Sequence, residues 1–135
     1  MECIFCRISN GEIPTQKIKE TTHSIAFLDA FPLTKGHTLV IPKNHHEKIQ
    51  QLSSEENSDL FSTVHAVISK VDKLTGATLV AVHNGKEAGQ EIPHVHVHLV
   101  PRSANDSGGP IHCLFESTLN VSDEEINEIL EKLRD

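Results

Sequence analysis

The sequence predicts an α+β fold formed as one domain across residues 1–135, and three observations carry that reading. Five short segments are rich in branched aliphatic residues and bounded by glycine, proline or asparagine. Two further stretches repeat their apolar residues at helical spacing, and each opens on a serine with a glutamate three residues later. No internal repeat or low-complexity stretch interrupts the order. A chain of 135 residues with 37% hydrophobic and 23% charged residues is long and apolar enough to bury a real core.

In chain order, Gly11, Glu12, Ile13 and Pro14 mark a turn, after which KIKE at 17–20 and SIAFLDA at 24–30 read as a hairpin of two strands. Pro32 and Gly36 bracket a loop. HTLVI at 37–41 is a third strand, ended by Pro42, and His45 and His46 lie just past it. Ser53 and Glu56 form a capping box, and Leu60, Val64, Val67, Ile68 and Val71 then define an amphipathic core helix that runs toward Gly76. ATLVAV at 77–82 is a fourth strand, and the loop HNGKEAGQ at 83–90 holds Gly85 and Gly89. HVHVHLV at 94–100 alternates with period two and reads as a fifth strand. Residues 102–120 read as an irregular excursion. Ser122 and Glu125 cap a last helix whose apolar face is Ile126, Ile129, Leu130 and Leu133.

The formal net charge of -7 argues against a nucleic-acid surface, which needs a basic stripe, and leaves room for a small anion held by local donors. The sequence has no run of 18 apolar residues and no charged-then-apolar leader, so the expectation is no membrane segment and a cytoplasmic, reducing location. Three cysteines, two of them spaced as Cys3-x-x-Cys6, fit a metal pair in a reduced compartment better than a disulfide framework. Cys113 stands alone and is expected to be a semi-buried small hydrophobe.

The chemistry concentrates in the fifth strand. Alternation places His94, His96 and His98 on one face, roughly 7 Å from one to the next, with the valines packed behind them. Imidazoles titrate near neutrality and serve as nucleophiles, proton carriers or metal ligands. A tetrahedral zinc site needs four ligands; Cys3, Cys6, His45 and His94 supply them while leaving His96 and His98 free. Such a zinc is structural, with no position left for activated water, and no catalytic metal is expected. A competing arrangement, a catalytic metal held by all three triad histidines, requires rings spread along a strand to converge at about 2.0 Å. Gly89 lets backbone amides approach an anion, and Asn84 and Gln90 add neutral amide donors. Donors of this kind, without the lysine of a P-loop, suit the α-phosphate of a nucleotide.

GQEIPHVHVHLVPR resembles the signature of the histidine triad (HIT) superfamily, and CIFCRI, GEIP, AFLDAFPLTKGHTLVIPKNH at 26–45 and NGKEAGQ extend the resemblance over most of the chain. The N-terminal blocks are most similar to the Hint-like, bacterial-type zinc-containing branch. The resemblance implies a five-stranded antiparallel sheet with a central helix and a C-terminal helix, dimerising into one continuous sheet. It implies a purine nucleoside phosphoramidase or related nucleotide hydrolase that works through a nucleotidyl-histidine intermediate and releases a nucleoside monophosphate. A dinucleoside polyphosphate hydrolase and a non-catalytic nucleotide-binding protein are the alternatives. By resemblance His96 is the nucleophile, His98 serves the phosphate and leaving group, His94 orders the site or ligates zinc, and His37 supports them. Asp29 matches the residue that holds ribose hydroxyls, Ile4, Phe5, Ile8, Phe27 and Leu39 match the base pocket, and Asn84, Gly89 and Gln90 match the phosphate loop. Glu91 and Pro93 depart from the family pattern, which has a hydroxyl or amide at the first of these positions.

Overall fold

A computed structural model describes residues 3–134; the one-domain reading also covers residues 1, 2 and 135, which lie outside the described residues. A short helix, α1 (Ile4–Ser9), is followed by strands β1 (Lys17–Glu20), β2 (Ser24–Leu28) and β3 (Thr38–Pro42). The long helix α2 (Ser54–Asp72) leads to β4 (Thr78–Val82) and β5 (Val97–Pro101), and α3 (Asp123–Leu133) follows. The five strands form one antiparallel sheet in the order β1-β2-β3-β5-β4.

Strand alternation sends side chains to two faces, and each face has its own cover. Ala26, Val40, Val97 and Leu99 meet Leu60, Val64, Val67 and Val71 of α2, with Val95 in the same cluster. Ile25, Phe27, Leu39 and Ile41 point the other way and meet Phe5 and Ile8 of α1. Helix α2 begins as its sequence requires: Ser53 Oγ accepts the Glu56 N–H at 3.1 Å and Glu56 Oε1 accepts the Ser53 N–H at 2.9 Å.

Two expectations change, those for the fifth strand and for Cys113, and helices α1 and α3 add what the sequence does not foretell. The strand expected over 94–100 starts only at Val97, because β3 and β4 both make their last pair there, Val40 with Val97 and Val82 with Val97. Helix α1 is not foreshadowed by any cap: Cys3 stands at its N-cap and makes no side-chain cap bond. Cys113 is exposed rather than semi-buried, since the segment around it crosses no core. The apolar face of α3 exists, but Ile126, Ile129 and Leu133 are exposed. Residues 102–120 are irregular apart from one short 3-10 turn, Ile111–Leu114.

Candidate functional site

The segment 94–96 runs extended beyond the end of the ladder, and the loop after β3 takes over as its partner. The Val95 N–H donates to the His46 carbonyl at 2.7 Å. The pairing of Leu39 with His98 and of Phe27 with Leu39 places His98 on the α1 side of the sheet. The His96 ring lies 5.0 Å, centre to centre, from both the His98 ring and the Phe5 ring. Phe5 also meets the His94 ring edge-on at 5.7 Å, so α1 covers the gap between the first two triad histidines. His94 and His96 are buried, and His98 is half-buried.

Hydrogen-bond partners assign the proton on each ring, because a carbonyl only accepts and an amide N–H only donates. His96 Nδ1–H donates to the His94 carbonyl at 2.7 Å, which leaves Nε2 with its lone pair. The Leu33 N–H donates to His37 Nδ1 at 3.0 Å, so His37 carries its proton on Nε2. That proton is donated to His98 Nδ1 at 3.0 Å, which places the His98 proton on Nε2. His94 Nε2–H donates to the Pro42 carbonyl at 2.8 Å and keeps a lone pair on Nδ1. The site therefore pairs a nucleophilic nitrogen on His96 with a proton-bearing nitrogen on His98. Burial lowers all four rings from the ordinary histidine value: His94 and His98 to about 4, with His37 and His96 shifted the same way. They stand neutral at pH 7, which leaves His96 the lone pair a nucleophile requires.

The His94 lone pair faces two sulfurs. Nδ1 lies 3.5 Å from Cys3 Sγ and 3.6 Å from Cys6 Sγ, and His45 Nδ1 lies 3.3 Å from Cys6 Sγ. Zinc-sulfur bonds of about 2.3 Å and zinc-nitrogen bonds of about 2.0–2.1 Å at tetrahedral angles place S and N about 3.5 Å apart. Cys3, Cys6, His45 and His94 thus have the chemistry and spacing to hold one metal ion. Burial, with Cys3 beside it, pushes the Cys6 thiol up to about 11, and a bound cation reverses that balance by favouring the thiolate. Asp29, His37 and His98 also lie within ligand reach of one another. The Leu33 N–H opposes that use, because it occupies the Nδ1 lone pair of His37 and obliges Nε2 to keep its proton.

The HIT domain family model matches residues 10–105. The chain belongs to the HIT family. An uncharacterised HIT-like protein of Methanocaldococcus jannaschii is 39% identical over 134 residues, 98% of each chain. A protein of Schizosaccharomyces pombe named adenosine 5'-monophosphoramidase is 43% identical over 110 residues, 80% of each chain. The crystal structure of a histidine triad nucleotide-binding protein from Candida albicans superposes with a TM-score of 0.84 at 32% identity, over 98% of this chain and 95% of that one.

The other expected site residues of this HIT domain fall into three sets. Phe5, Ile8, Phe27 and Leu39 share one buried cluster on the His98 side of the sheet, and Ile4 is exposed beside it. Asp29 Oδ1 accepts the Phe31 N–H at 2.9 Å, and Oδ2 lies 3.5 Å from His37 Nε2. In the loop over 83–90 both carboxamides are taken up by bonds to neighbouring loop groups, Gln90 buried and Asn84 at the surface. Asn84 Oδ1 accepts the Ile49 N–H and its Nδ2 donates to Gln50 Oε1; Gln90 Oε1 accepts the Gly85 N–H and its Nε2 donates to the Glu47 carbonyl. These two residues brace the loop. Gly89 has φ +107°, and a Cβ there would stand 3.2 Å from the His83 ring, so position 89 needs glycine on both counts. His83 itself was not singled out in the sequence, yet its ring lies 5.5 Å from that of His98. Its place directly after β4, whose last pair is with β5, is the signal that would have found it. Glu91 is exposed and, with Glu47, Lys86, Gly89, Gln90 and Pro93, lines a cleft of about 580 Å³.

Proposed function

We propose that the protein hydrolyses purine nucleoside 5'-phosphoramidates through a nucleotidyl intermediate on His96. The observation that carries this reading is the complementary pair of ring tautomers, a lone pair on His96 Nε2 beside a proton on His98 Nε2. In the first step His96 Nε2 attacks the α-phosphorus while the bond from phosphorus to the leaving nitrogen breaks, and His98, which the negative charge of the bound phosphate favours as the imidazolium, gives its Nε2 proton to that nitrogen and is left neutral. In the second step water attacks the phosphorus, His98 takes the water proton, the bond to His96 breaks, and a nucleoside monophosphate leaves. His37 fixes the His98 ring. Asp29 is assigned to the ribose, and Phe5, Ile8, Phe27 and Leu39, with Ile4 at the edge, to the base. Gly89 is assigned to the phosphate through close backbone approach, with Asn84 and Gln90 holding the loop.

The name of the Schizosaccharomyces pombe relative supports this substrate class. The cleft next to Gly89 supports it further against dinucleoside polyphosphates, because two carboxylates, Glu47 and Glu91, outnumber the one cation, Lys86, on its wall and disfavour a polyanionic leaving group. The test is to incubate the protein with adenosine 5'-phosphoramidate and with a dinucleoside polyphosphate, and to repeat with His96→Asn. Turnover of the phosphoramidate should fall by at least about 10³-fold in the variant while AMP still binds, since covalent catalysis is lost and the pocket is kept. Undiminished turnover by His96→Asn overturns the assignment; AMP binding without turnover of either substrate by the native protein favours a non-catalytic nucleotide-binding role.

The metal assigned to Cys3, Cys6, His45 and His94 is zinc. Its role there is structural: when bound it ties α1 to the sheet. The protein is further proposed to be a homodimer in which β4, the outermost strand at its end of the sheet, meets the same strand of a second copy. Sedimentation equilibrium giving twice 14.9 kDa checks this, and a mass of one chain refutes it. No helix among the described residues is long and apolar enough to cross a membrane, in keeping with the proposed cytoplasmic location.

A further inference from the structure

Glu56 caps α2, and one of its carboxylate oxygens is enough for that. Oε1 accepts the Ser53 N–H at 2.9 Å. Oε2 accepts Asn44 Nδ2–H at 2.9 Å and His46 Nε2–H at 3.1 Å, and the same ring nitrogen lies 3.0 Å from Oε1. The residue is only 6% exposed, and a charge so buried persists only when donors surround it. They do so effectively, with the Ser53 amide foremost, and hold the carboxyl at about 2.

Its two additional partners are not arbitrary. Asn44 and His46 flank His45, whose Nδ1 is 3.3 Å from Cys6 Sγ. The His46 carbonyl takes the Val95 N–H at 2.7 Å, between His94 and His96. One buried carboxylate thereby grips both sides of a metal-ligand candidate and, through a single peptide group, the segment that carries the nucleophile. A helix cap demands neither contact.

We infer that Glu56 is a positioning residue: it locks the loop 43–46 so that His45 closes the metal cluster and the His46 carbonyl keeps Val95, with His94 and His96 on either side, in place. For the kinetic part this rests on the function proposed above; for the metal part it does not. Three variants separate the cap from the clamp. Ser53→Ala removes the reciprocal cap bond and leaves the clamp, His46→Ala removes a clamp partner and leaves the cap, and Glu56→Ala removes both. Affinity for Co²⁺ is measured from thiolate absorption bands under chelator competition, and kcat and KM are measured with adenosine 5'-phosphoramidate.

Glu56→Ala and His46→Ala should each weaken Co²⁺ binding by about 10- to 100-fold, the range for residues that orient metal ligands. Both should lower kcat by at least about tenfold with KM changed little, as misplacement of a reacting group does. Ser53→Ala should lower only the melting temperature. Ser53→Ala matching Glu56→Ala in Co²⁺ affinity, or Glu56→Ala and His46→Ala both matching the native protein, overturns the inference. Should Glu56→Ala fail to fold, His46→Ala against Ser53→Ala decides the matter. Should the native protein turn over no phosphoramidate, the proposed function fails and the Co²⁺ measurements alone decide this inference.

Discussion

A histidine ring is a nucleophile, an acid or a ligand according to which nitrogen holds its proton. The three triad residues occupy those three states side by side. His94 presents Nδ1 to the cysteines, His96 presents a bare Nε2, and His98 presents a protonated Nε2. All are harder to protonate in the fold than in the unfolded chain, since burial takes His98 from 6.5 down to about 4 and lowers His96 as well. Between those values acid protonates the unfolded chain and not the folded one, so stability is full above pH 6.5 and is lost as the pH falls toward 4. Glu56, held at about 2, works in a separate window below 4.5. The melting temperature should therefore decline between pH 6.5 and 4, and His98→Asn should make that decline shallower. An identical slope in native protein and variant refutes the account.

At the scale of elements, α2 is the keel of the fold. Leu60 is fully buried between this helix and the sheet, so Leu60→Ala should cost about 2 to 5 kcal/mol, read from urea unfolding with the slope unchanged. That helix was legible in the sequence because two signals agreed, a capping box and an unbroken run of apolar residues at helical spacing. β1 to β4 were legible to within a residue or two from alternation and turn residues. Six-residue α1 was not, because a single turn and a half held by tertiary contacts leaves neither cap nor period behind. The cluster of Cys3, Cys6, His45 and His94 came together as the ligand chemistry required. The roles of Asn84 and Gln90 were not legible, since composition tells that a carboxamide is present and not which way it turns. Glu56 read as a cap alone because its second oxygen serves residues 10 and 12 positions away.

Across the whole molecule, the four candidate metal ligands join what the chain order separates. Cys3 stands at the N-cap of the first helix and Cys6 within it, His45 lies in the loop after β3, and His94 on the approach to β5. Cys6→Ser should abolish stoichiometric zinc and lower the melting temperature while leaving residual activity, because binding energy at such a site is folding energy and His96 is not a ligand. Metal analysis of freshly purified protein together with a thermal melt checks this; native protein free of zinc removes the assignment. Beyond Arg102 the chain gives little back to this body: Leu114, Phe115 and Leu119 are exposed along with most of α3.

The groups that set the ring protons have a consequence for inheritance. Two of the three partners outside the rings are the carbonyls of Pro42 and His94, and the third is the amide of Leu33. Every amino acid brings a carbonyl, and all but proline bring the amide hydrogen. Mutational drift at exposed position 33 can therefore change size, charge and polarity without rewriting the chemistry of the site, whereas at position 42, which is fully buried, packing and not the hydrogen bond sets the limit. Leu33, 76% exposed, should tolerate alanine with kcat unchanged, whereas Leu33→Pro deletes the donor that orients His37 and should lower kcat by at least about tenfold. A gene carrying this fold can thus vary widely at position 33, with one codon class closed to it.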